Sequence, residues 1–122
     1  MIDWKNKEAG YYTDEGTMLF TWKELEDKQM IFCDTWKSKY RDTAYHYLKA
    51  CRVEPTGGVL VLPNYMTDIH SDAFKYIDIK GVVLNEGLVN LHNRAFCECE
   101  SLEIADKNSF GLALTFSKSI LS

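Results

Sequence analysis

The sequence predicts an α+β fold, a short β-solenoid capped by an N-terminal α/β segment, on three observations. Two stretches, VLVLPNYMTDIHSDAFKYI and VVLNEGLVNLHNRAFCEC, superpose without a gap at an offset of 22 residues when Ala73-Phe74 is set on Ala95-Phe96. Trp36, Tyr40, Ala44, Tyr47, Leu48 and Cys51 recur at spacings of three and four, the pattern of one buried helical face. The turn cluster Pro55-Thr56-Gly57-Gly58 separates a first half holding all three tryptophans from a second half of β-branched and leucine-rich runs. The expected division is an aromatic capping segment over 1–55 and repeats over 56–122, within one compact domain.

The totals bound what such a chain does. With 122 residues, 46% apolar and 26% charged, it has the size and make-up of one globular domain. A net charge of -4 and scattered lysines argue against direct nucleic-acid binding, which needs clustered cations along a phosphate track. The N-terminus lacks the basic start and apolar middle of a signal peptide, and Lys118 interrupts the longest apolar tract, so neither export nor a membrane anchor is expected. A cytoplasmic setting follows, with the four cysteines reduced.

In the first half, Asp14-Glu15-Gly16 predicts a turn after which 17–20 forms a strand. Thr21 followed three residues later by Glu24 is a capping box, in which each side chain satisfies an amide of the other's turn; it predicts a helix over 22–28. A further strand is expected over 30–33. Asp34 is then placed to cap a longer helix through Cys51, apolar on the stripe above and charged on the face of Lys37, Lys39, Arg41, Asp42 and Lys49.

In the second half the 22-residue offset sets Leu60 on Val82, Leu62 on Leu84, Met66 on Leu88, Ile69 on Leu91 and His70 on His92. A period in the twenties predicts one strand per turn, stacked to share a core. Strand alternation sends Leu60, Leu62, Val82, Leu84 and Ile104 inward, and Val59, Val61, Val83 and Ala105 to the opposite face. That outer apolar ladder requires a cover, and the helix stripe of the first half is the expected one, with any remainder open to a partner.

The frame Ile/Leu-x-x-x-Ala-Phe, followed by Cys99 and Leu102, resembles the BspA-like leucine-rich repeat over 59–104. Leu91, Ala95, Phe96, Cys99 and Leu102 match its positions in the second copy, and Ile69, Ala73, Phe74 and Ile77 do so in the first. Both copies carry a histidine, His70 and His92, where that family has glycine, and Ile79 is expected to fill the apolar place that Lys80 cannot. The resemblance implies a leucine-rich-repeat solenoid of parallel strands with Phe74 stacked on Phe96, Cys99 as a buried filler and a degenerate C-terminal cap.

From this the expected function is non-catalytic protein–protein interaction by a small stand-alone inhibitor or adaptor, for example one encoded by a phage or mobile element against a host defence nuclease. Contact is expected through Val61, Val83 and Tyr65, through His70 and His92, and through Glu98 and Glu100 of an acidic rim. The partner is a basic protein or a second copy of the chain, with no cofactor, metal or membrane involved. The alternative is a small zinc- or thiol-dependent enzyme built on His92, Cys97 and Cys99, with His70 or Cys51 as a further ligand. Its CxC spacing suits a tetrahedral metal less well than CxxC.

Overall fold

A computed structural model describes residues 3–40, 42–75, 77–91 and 103–106. After a 3-10 turn at Trp4–Asn6, nine strands and one short α-helix run in the order β1 (Gly10–Tyr12), β2 (Met18–Thr21), α1 (Trp22–Asp27), β3 (Ile31–Lys37), β4 (Ala44–Cys51), β5 (Val59–Val61), β6 (Asp68–Ile69), β7 (Gly81–Leu84), β8 (Asn90–Leu91) and β9 (Glu103–Asp106) among the described residues. They form two mixed sheets, one in the order β2-β1-β5-β7-β9 and one in the order β3-β4-β6-β8.

The helix forms as its cap dictates. The Thr21 hydroxyl accepts from the Glu24 amide at 3.1 Å, and the Glu24 carboxylate accepts from the Thr21 amide at 3.0 Å. These bonds, Thr21 amide first, lower the Glu24 pKa. On its inner face α1 buries Trp22 and Leu25. They join a core made of Leu60, Val82 and Leu84 from the first sheet and Leu48 and Ile69 from the second, closed by Phe74 and Met66.

A second, smaller core lies on the other face of the first sheet and gathers Tyr12, Val59, Val61 and Val83, with Trp4 packed against them. Trp4 meets the Tyr12 ring edge-on at 5.7 Å. Leu60, Leu62, Val82 and Leu84 thus lie in one core and Val59, Val61 and Val83 in the other, as alternation along a strand requires. The 55–58 turn is tied to β1 through Tyr11, whose buried hydroxyl donates to the Pro55 carbonyl and accepts from the Gly58 amide at 2.9 Å. A Cβ on Gly58 would stand 2.3 Å from the Tyr12 carbonyl oxygen, so the close approach of β1 and this turn demands glycine.

The fold corrects the expected architecture: this is a small α+β protein of mixed sheets, not a leucine-rich-repeat solenoid. In a solenoid like units add in one direction, whereas here β1 with β2, β1 with β5 and β3 with β4 are all antiparallel. The 22-residue offset is the register of two short parallel ladders, Leu60 beside Val82 and Val82 beside Ile104 in the first sheet and Ile69 beside Leu91 in the second. The second correction concerns 34–51, which forms no helix. Asp34 lies within β3, and Tyr47, Leu48 and Cys51 lie in β4. The segment alternates aromatic and polar residues as well as repeating at three and four, and pairing β4 with β3 on one side and β6 on the other selects the strand. The outer valines therefore pack with Tyr12 of the neighbouring strand and under Trp4, rather than under the expected 34–51 helix.

Ile79 is fully buried, while Lys80 turns outward to Asp14 at 3.5 Å. Phe96 and Cys99 lie outside the described residues, as does the C-terminal cap. Among the described residues no helix is long and apolar enough to cross a membrane.

Candidate interaction surface

The β3–β4 hairpin extends beyond the support that the rest of its sheet gives it. Its strands pair from Ile31 with Cys51 to Lys37 with Ala44, while β6 reaches only Tyr47 and Leu48. Thr67 extends that support by one residue: its hydroxyl accepts from the His46 amide at 2.8 Å and its own amide donates to the His46 carbonyl at 2.9 Å. The outer half of the hairpin is then a two-stranded arm, closed where the Ser38 amide donates to the Thr43 carbonyl at 3.1 Å. A register shift between Phe32 and Cys33 leaves Lys49 as an extra residue, the local kink of a β-bulge.

The two faces of the arm differ. The outer face carries Phe32, Asp34 and Trp36 of β3 beside Tyr45, Tyr47 and Lys49 of β4. Phe32 is 45% exposed and Trp36 52%. The Trp36 and Tyr45 rings lie 5.5 Å apart, and Tyr47 stacks on His70 at 5.1 Å. Among the rings runs a weak surface ion pair, Lys49 to Asp34 at 3.9 Å, and a second, Lys37 to Asp42 at 3.8 Å, lies at the tip of the arm. The Tyr47 hydroxyl is held above its ordinary pKa by desolvation and then by Asp34 and Asp68.

The inner face of the arm, with α1 and the 63–66 turn, borders a cleft of about 370 Å³ lined by Glu26, Cys33, Asp34, Thr35, His46, Tyr65 and Met66. His46 meets the Tyr65 ring edge-on at 5.3 Å, and its Nδ1 lies 3.3 Å from the Thr35 hydroxyl. Buried Asn85 holds the turn in place by donating to the Met66 carbonyl at 2.8 Å and the Asn64 carbonyl at 3.3 Å. Cys33 is exposed as a residue, yet its thiol is crowded by protein; desolvation, with the Glu26 charge, pushes its pKa up to about 12. At neutral pH only about one such thiol in 10⁵ is a thiolate, so the proximity of Cys33 and His46 supplies no nucleophile.

Of the residues expected from sequence, Val61 and Val83 are buried at 0% and 1% exposure and offer no open surface. Tyr65 is half exposed at the mouth of the cleft, and His70 is half-buried against Tyr47 on the outer face. His92, Glu98 and Glu100 lie outside the described residues, as do Cys97 and Cys99 of the zinc or thiol alternative. Among the described residues no three His, Cys, Asp or Glu side chains converge as a metal site would require. Phe32, Trp36 and Tyr45 were not singled out as an exposed surface. Their signal is the alternation of large aromatic and polar residues along 32–36 and 45–49, which the helical reading of the same segment hides.

Fold and surface together define a small α+β protein with one two-stranded arm, aromatic outside and cleft-forming inside. No protein-family model, no curated protein and no solved structure matches the chain.

Proposed function

We propose that the protein is a non-catalytic protein-interaction module that binds through the outer face of the β3–β4 arm. The observation that carries this reading is the exposure of Phe32 and Trp36 on one strand face, either side of Asp34, with Tyr45 and Tyr47 across from Trp36 and Asp34. Exposed aromatic rings cost solubility unless a partner covers them, and tryptophan and tyrosine are the usual anchors of protein interfaces. The Asp34–Lys49 and Lys37–Asp42 pairs supply the polar surroundings that such anchors have in an interface. The high pKa of Cys33 favours a binding role over thiol catalysis. A cytoplasmic setting accords with Cys33 as a free thiol. A phage-encoded or inhibitory role gains no support from the fold or from the comparisons and is set aside.

The test is affinity capture from the native host with the wild-type chain and with Trp36→Asp, combined with sedimentation of both. A protein retained by the wild type and lost by the variant is the expected result. A wild-type dimer that the substitution dissociates would assign the same face to a second copy. Identical captured proteins and identical sedimentation would remove the outer face from consideration.

A further inference from the structure

We propose that the cleft under the arm receives one cationic side chain, an arginine or lysine, from the protein partner; this deepens, and rests on, the reading of the arm as an interaction element. The lining combines the Glu26 carboxylate with the Tyr65 and His46 rings, Met66 and the edge of β3 at Cys33, Asp34 and Thr35, and it contains no lysine or arginine. The Asp34 carboxylate belongs to the outer face, accepting from the Thr35 amide at 2.8 Å and facing Lys49 at 3.9 Å. Glu26 forms no ion pair among the described residues. The nearest cation along the chain, Lys28, lies over the Phe20 ring at 5.7 Å instead.

The Glu26 charge is felt inside the cleft. Desolvation is the larger cause of the raised pKa values of Cys33 and Tyr65, and the Glu26 charge comes second at both. A cation entering here meets one uncompensated carboxylate and the aromatic wall of Tyr65, the two groups that hold a guanidinium or ammonium. About 370 Å³ is room for such a head group and part of its methylene stem. The net charge of -4 draws a basic partner in the same sense.

The experiment is an NMR titration of the full chain with the peptide acetyl-Gly-Arg-Gly-amide and with its citrulline counterpart, which keeps the shape and removes the charge. The expected result is that the arginine peptide moves the Tyr65 and His46 ring signals and that citrulline binds roughly fivefold more weakly or worse. Glu26→Gln, at an exposed helix position, is expected to fold normally and to lose the arginine peptide to the same degree. Glu15→Gln, which removes an exposed carboxylate outside both the cleft and the arm, is expected to leave the titration unchanged. Equal binding of both peptides, undiminished binding by Glu26→Gln, or no movement of either ring would overturn the proposal. Arginine binding that persists while Trp36→Asp leaves partner capture untouched would refute the outer-face reading alone, so the two failures are separable.

Discussion

The two sheets treat their faces differently. In the first, Leu60 and Val82 are fully buried on one side, and Val61 and Val83 are buried at 0% and 1% exposure on the other. In the second, Leu48 and Ile69 are fully buried on the inner side, whereas Phe32 and Trp36 on the outer side are about half exposed. A strand such as Val59-Leu60-Val61, apolar at every position, belongs between two layers of protein. The strand Phe32-Cys33-Asp34-Thr35-Trp36, in which polar residues alternate with large ones, is open to water at every position. The lesson is that the valine ladder, although the more conspicuous apolar feature of the sequence, is structural, and that the aromatic arm carries the open surface.

The sharpest way to break this comparison is to place the same charge on each sheet. Val83→Asp buries a carboxylate in the small core and is expected to cost about 4 kcal/mol or more, measured by urea unfolding. Trp36→Asp on the arm is expected to change stability by less than about 1 kcal/mol in the same experiment. Similar losses for the two variants would erase the distinction between the closed sheet and the open one.

A smaller effect is expected at the seam between β1 and the 55–58 turn. Tyr11→Phe removes a hydroxyl that both donates to Pro55 and accepts from Gly58, leaving two backbone groups without that partner. The expected cost is about 1–3 kcal/mol, read from the midpoint of thermal or urea unfolding. A neutral substitution would show that the turn does not depend on this tie.

An effect absent at neutral pH sharpens the account of the arm's inner face and appears only in alkali. The Cys33 thiol is raised from 9.0 to about 12 in the folded chain, so the unfolded chain releases this proton first. The stability contributed by the protonated thiol is fully present below pH 9 and is lost as pH rises towards 12. Cys33→Ser is expected to flatten that part of the stability profile. Peptide mapping at pH 8 should also find Cys33 alkylated at least about tenfold more slowly in the native chain than in urea. Equal rates would mean that the thiol is not crowded.

Much of the local structure was legible in the sequence. The capping box set the start of α1, because Thr21 and Glu24 satisfy each other's amides without help from distant residues. Alternation along 59–62 and 82–84 sorted the side chains into two groups, because successive residues of a strand must face opposite ways. The candidate surface was far less legible. Tyr65 and His70 were named and do border the cleft and the aromatic face, but the rings that dominate the arm sat in a segment read as a helix. Trp36, Tyr47, Leu48 and Cys51 fit a helical stripe and a strand pattern equally well.

By itself the sequence determined which residues are apolar, where the chain turns, and which neighbours within a strand lie back to back. The tertiary structure alone decided that β4 pairs with β3 and β6, that Tyr12 and Trp4 pack with the valines, and that the parallel ladders end in antiparallel strands rather than extending as a coil. The reason is physical: periodicity reports only the local direction of a side chain. The choice of pairing partner, and with it which face stays open to water, is made by hydrogen bonds and burial between segments far apart in the chain.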